Sequence, residues 1–199
     1  MHAPKGTVPQ RFFHSFIAGE QGAWHIERIH RVSGVAVALA PRLDIAPLRY
    51  DDIPSSSYWS LRGATSNERY VTQAEKGALR AKAATLDIPA ATRAALIPIR
   101  KSPAWWALPQ DERRAIVEEK SRHISIGLKY LPAIARRLYH CRDLGDNEPF
   151  DFLTWFQFSP SDEWAFDELL VQLRACEEWQ YVDREVDIRL TLGSADKPR

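Results

Sequence analysis

The chain has 199 residues with 27 Lys+Arg against 26 Asp+Glu, a formal charge of +1, so it carries no net field to steer it onto nucleic acid or an anionic bilayer. Hydrophobic residues at 45% and charged residues at 27% match an ordinary globular domain and exclude both a disordered and a membrane class. No segment approaches the roughly 18 apolar residues of a membrane span and no secretory leader opens the chain, so a cytoplasmic protein is expected. Cys141 and Cys176 lie far apart and outside any CxxC pattern, and read as ordinary thiols.

In chain order, residues 1–10 are polar with Pro4 and Pro9 and read as a loose tail. Phe12–Ala18 and Trp24–Val32 are rich in aromatic and β-branched residues around the turn-like Gly19–Gly22, which predicts two strands or a strand and a short helix. Arg42–Tyr50 and Ser57–Arg62 read as short extended pieces joined by the loop Asp51–Ser56. Thr72–Leu86 is dense in strong helix formers and predicts a helix. Ala94–Ile99 returns to a strand-like apolar run ending in Arg100 and Lys101, followed by the Trp105–Trp106 pair.

A long helix is expected from Gln110 to Leu131, opened by Asp111 and Glu112 and stopped by Pro132, with a second helical piece to about Cys141. FDFLTWFQF from Phe150 is apolar on both alternating sets, as in a strand buried on both faces. Ser159–Arg174 spaces Phe166, Leu169, Leu170 and Leu173 as an amphipathic helix. Trp179–Leu192 alternates, with Val182, Val186, Ile188 and Leu190 sharing one face with Arg184, and Asp183, Glu185, Asp187 and Arg189 on the other, which predicts a half-buried antiparallel strand. The class is α+β, two ferredoxin-like halves joined around a common sheet.

The stretch SRHISIGLKYLPAIARR, Ser121–Arg137, holds the candidate chemistry. His123 falls at the edge of an apolar helical face with Ile116, Lys120 and Gly127, and the glycine reads as room for a bulky flat group beside the histidine. A lone histidine on such a face is more often a satisfied core residue than a ligand. Arg136 and Arg137 lie beyond the Pro132 break, where either could hold a small anion or simply be solvated. Glu177 and Glu178 offer carboxylates able to orient a liganding imidazole, or a pair of solvated acids.

The blocks LRGATSNERYVTQAEK, ATRAALIPIRKSPAWW, DERRAIVEEKSRHISIGLKYLPAIARRLYHCRDLG, EPFDFLTWF and EEWQYVDREVDIRL, over about residues 61–190, resemble the short-chain branch of the chlorite dismutase family. The resemblance implies a dimeric α+β barrel in a single domain over 1–199, with a reduced N-terminal half at about 10–100 and a haem-binding half at about 101–192. It makes His123 the proximal ligand of haem b iron, Glu178 its hydrogen-bonded partner and Arg136 the distal, anion-holding residue. Lys101, Trp105 and Tyr70 match positions near the haem propionates, and Trp179 an aromatic packed beside the proximal histidine. The implied reaction turns chlorite into chloride and dioxygen in a homodimer, with no nucleic-acid or membrane partner. A coproheme decarboxylase of haem synthesis shares the fold and histidine but not the distal arginine; a haem sensor or weak peroxidase is the remaining alternative.

Overall fold

The computed structural model describes residues 13–47, 54–65, 69–82, 86, 89–145 and 147–193. The expected N-terminal tail, Asp51–Ile53 of the predicted loop and residues 83–85 near the end of the first helix lie outside them.

Eight strands close into a barrel: β1 (Phe13–Gly19), β2 (Trp24–Ser33), β3 (Arg42–Pro47), β4 (Trp59–Ala64), β5 (Arg93–Lys101), β6 (Ala135–His140), β7 (Phe152–Phe158) and β8 (Val182–Leu192). Their order around the barrel is β1-β3-β2-β8-β5-β7-β6-β4, and every recorded pairing is antiparallel. Each half therefore repeats one strand order, β4-β1-β3-β2 and β8-β5-β7-β6, which is the ferredoxin-like arrangement. In the first half Glu20–Ala23 alone joins β1 to β2, and the helix α1 (Gln73–Lys82) follows β4. In the second half the matching connection carries α2 (Pro103–Ala107), α3 (Gln110–Arg114) and α4 (His123–Lys129), while α5 (Glu163–Arg174) links β7 to β8. This extra layer builds a second core outside the barrel.

The period-two pattern of the strands divides the apolar residues between the two cores. Phe16, Leu43, Leu61, Leu96, Leu153, Trp155, Val186 and Ile188 fill the barrel interior. Ala95, Ile97, Ile99, Phe152, Phe156 and Phe158, from the alternate positions, pack against Phe166, Leu169, Leu170 and Leu173 of α5. The reading of FDFLTWFQF as buried on both faces holds, as does the amphipathic helix after it.

Three expectations change. The first concerns the long helix, which is broken: α3 passes into a π-helical turn, Ala115–Lys120, and Arg122 adopts a left-handed conformation (φ 54°) before α4 begins. The break has tertiary causes. Glu118 turns back to accept the amide hydrogens of Ile124 (2.7 Å) and Ser125 (3.2 Å), capping the orphan donors of α4, and the Ser121 hydroxyl accepts the amide of Glu178 at 2.8 Å. The second is the segment after Pro132, which is the strand β6 and not a helix: Ala135–His140 pairs along β7 and meets β4 at Ala64↔His140, closing the barrel. The third is β8. It begins at Val182, after a 3-10 turn over Glu177–Tyr181, and in the middle of its charged face Glu185 and Asp187 are buried and neutralised by Arg174 and Arg189, while Asp183 stays exposed.

Candidate active site

A cavity of about 480 Å³ lies outside the barrel, between the β5-β7-β6 surface and the helices α4 and α5. Its walls are mainly apolar, with Ile97, Ile99, Phe152, Phe156, Leu170 and Leu173 contributed by strand and helix positions that face the outer core. Into these walls the fold sets a few charged groups, the pattern of a ligand site in which apolar surface gives contact and sparse polar atoms give orientation.

His123 is the first residue of α4 and lines the cavity. Its Nδ1 is 2.6 Å from Glu178 Oε2, and the other carboxylate oxygen accepts a 2.8 Å hydrogen bond from Lys101 Nζ. Glu178 is buried. Burial alone raises its carboxyl pKa, but attraction to His123 and Lys101 and the hydrogen bonds both make outweigh this and lower it to about 2. A carboxylate at this distance accepts the hydrogen on Nδ1, which orients the ring and leaves Nε2 as the nitrogen open to a ligand contact. Trp179 lies over the imidazole with ring centroids 6.3 Å apart and planes at 26°. Lys101 Nζ sits 4.5 Å from the Trp105 ring centroid and 5.6 Å from that of Trp179.

These seven predicted residues all line the cavity, but two readings shift in detail. Lys101 spends its ammonium on the carboxylate and backbone carbonyl of Glu178, so it belongs behind the histidine and is not free for a carboxylate of a bound group. Gly127 makes room for Arg136 and not for a flat ligand: a Cβ there would lie 2.1 Å from Arg136 Nη1. Arg136 projects from β6 toward the cavity, and burial lowers the pKa of its guanidinium below the ordinary value. At the other charged end, Tyr70 packs edge-on to Trp105 (6.1 Å) and its hydroxyl accepts from Arg113 Nη1 at 3.3 Å. Ser102 caps α2 by accepting the Trp105 amide and so sets that indole, whose Nε1 is buried without a hydrogen-bond partner.

Sequence reading missed Ser121, Glu118 and His140. The first two act on the backbone around the helix break, which no periodicity announces. His140 lines the cavity from β6, and the alternation of Arg136, Leu138 and His140 in ARRLYH would have found it had the segment been read as a strand.

The fold is thus an α+β barrel that sets one carboxylate-backed imidazole and one arginine into a single apolar cavity. The family profile described as Chlorite dismutase matches residues 53–193. A curated relative, chlorite dismutase from Ideonella dechloratans, is 30% identical over 159 residues, 77% of this chain and 51% of that protein, so the chain spans about half the length of this relative. Among solved structures, a dimeric chlorite dismutase from Nitrobacter winogradskyi is 54% identical with a TM-score of 0.83, covering 90% of this chain and 99% of that one. A variant of the chlorite dismutase from Candidatus Nitrospira defluvii, in complex with cyanide, shares the fold at 18% identity and a TM-score of 0.66, over 93% of this chain and 92% of that one. The chain belongs to the chlorite dismutase family.

The family is in general haem-dependent. The residues present fit such a group on three counts: an imidazole with its Nδ1 committed and Nε2 available, an apolar cavity of sufficient size, and the orphaned Trp105 Nε1–H buried at the cavity wall.

Proposed function

We propose that the protein is a haem b enzyme that converts chlorite to chloride and dioxygen, acting as a homodimer. The observation that carries this reading is the 2.6 Å His123–Glu178 pair set in the same apolar cavity as Arg136. His123 Nε2 would hold the iron, Trp105 would meet a polar edge of the macrocycle, and the outer-core residues would enclose its faces. Haem, when bound, supplies the redox-active iron that the conversion of chlorite requires.

The chain's own residues supply position and charge. Glu178 and Lys101 keep His123 in one tautomer and make it a stronger donor to a metal. Arg136 carries a permanent cation into an apolar space, where it binds chlorite and retains a small anionic product close to its origin, with no proton transferred. The apolar walls exclude water, which strengthens that attraction. Atoms balance within the one substrate: ClO2⁻ gives Cl⁻ and O2. The chlorite dismutase from Nitrobacter winogradskyi is dimeric, and at 54% identity it supports the same assembly here. Among the described residues no helix is long and apolar enough to cross a membrane.

The test is to load the purified protein with haem, record its Soret band and follow oxygen release from chlorite with an electrode. A haem-loaded sample that evolves no oxygen overturns the proposal.

A further inference from the structure

His123 is held at an edge and on a face. Glu178 fixes the edge through Nδ1, but a single hydrogen bond leaves the ring free to rotate about it. On one face it is neighboured by Trp179, ring centroids 6.3 Å apart, whose indole borders the open cavity and is only half-buried, so packing alone does not determine where it lies. Among the described residues its indole N–H has a single acceptor, Glu185 Oε2 at 2.8 Å, and the Lys101 ammonium lies 5.6 Å from its ring centroid.

Glu185 is fully buried in β8 and is itself fixed from the far side. Its Oε1 accepts from Arg174 Nε at 2.8 Å and from Nη2 at 2.6 Å. Arg174 also reaches Asp187 at 3.3 Å; Asp187 accepts from Arg189 Nε at 2.6 Å, and Arg189 ends the chain of charges at the exposed Asp167, 2.8 Å away. A buried ion pair is poor evidence for stability, because apolar residues of similar volume often serve as well. A carboxylate aimed at an indole N–H is needed for direction, which apolar packing does not give.

We infer that Glu185 is a positioning residue that holds Trp179 in its tilted, stacked place beside His123, with the Arg174–Asp187–Arg189 array as its anchor. This rests on the reading of His123 as a metal ligand for its functional meaning, though not for its structural content. Glu185 touches no reacting atom and acts only through the indole.

The test compares Glu185→Met, which removes the acceptor, Glu185→Gln, which keeps an acceptor oxygen, and Trp179→Phe, which keeps a ring without the N–H. In the apoprotein, nuclear magnetic resonance of the His123 ring nitrogens and the Trp179 indole N–H reads the geometry directly. Glu185→Met should shift both signals, and Glu185→Gln should restore most of the wild-type His123 signal. In the haem-loaded protein, Glu185→Met should speed haem loss about tenfold, the lower end of what partners of a metal-bound histidine contribute. In a Trp179→Phe background the same change should add nothing further. Unmoved His123 signals, or an equal acceleration of haem loss with Phe at position 179, would overturn the assignment and leave Glu185 a stability element. If Glu185→Met does not fold, Trp179→Phe leaves the Glu185–Arg174 pair in place and must still shift the His123 signals, or the inference fails. A wild-type protein that retains no haem defeats the proposed function, while the apoprotein signals still decide the role of Glu185.

Discussion

Arg136 and Gly127 act as a pair. The guanidinium occupies the space a side chain at position 127 would take, so Gly127→Ala is expected to push Arg136 aside without touching His123. Oxygen release from chlorite should fall with Gly127→Ala in the same direction as with Arg136→Ala, while the Soret band persists in both variants; steady-state oxygen measurements beside a haem titration check this. A Gly127→Ala protein with full turnover would detach the glycine from the arginine. At the other side of the cavity, Glu178→Gln removes the charge that retains the Nδ1 proton. Haem affinity is then expected to drop about 10- to 100-fold, the usual effect of losing a histidine's outer partner, as read by haem transfer to an acceptor protein. Lys101 would be left with an uncompensated buried charge in that variant, so a loss of stability should accompany it.

At the scale of elements, the histidine owes its place to a broken helix. The π turn and the left-handed Arg122 swing α4 out of line with α3, and Glu118 makes the break tolerable by accepting two of the amides at the start of α4. Replacing Glu118 by alanine removes that cap and should cost about 1 kcal/mol, with a range of roughly 0.5–2 kcal/mol, in chemical denaturation. Because His123 is the first residue of α4, the same variant should also loosen haem retention. A neighbouring change such as Glu119→Ala, whose carboxylate makes no hydrogen bond or ion pair among the described residues, should do neither.

At the scale of the molecule, the buried ionisable groups set an acid limit. His140 lies in the cavity wall, and burial, helped by the charge of Arg69, lowers its pKa from 6.5 to about 4. The unfolded chain therefore takes up this proton before the folded one does. The contribution is intact above about pH 6.5 and drains away as pH falls toward 4, amounting to about 3 kcal/mol. Glu178, lowered from 4.5 to about 2, adds a second loss that begins below about pH 4.5. Denaturation midpoints measured across pH 2–7 should fall with acid. His140→Phe, which keeps an aromatic ring against Phe152, should flatten the upper part of that fall and leave the lower part.

What the sequence by itself determined is what depends on local period and composition. The two-sided apolar run of β7, the amphipathic face of α5, the helix-forming run of α1 and the α+β alternation all follow from which residues recur at spacings of two or of three to four. His123, Glu178, Trp179 and Arg136 were named from a resemblance carried by intact blocks of sequence, and the fold gathers them around one cavity. Only the tertiary structure decided the rest. Residues 135–140 become a strand by pairing with β7 and β4, which closes the barrel, and the helix break at Arg122 is held by the Glu178 amide on the Ser121 hydroxyl and by Glu118 accepting the amides of Ile124 and Ser125. Glu185 is buried because Arg174 arrives from α5 to neutralise it, and Gly127 serves an arginine nine residues on, from another element. Each of these outcomes is set by a partner distant in the chain or outside the element, which no local pattern encodes.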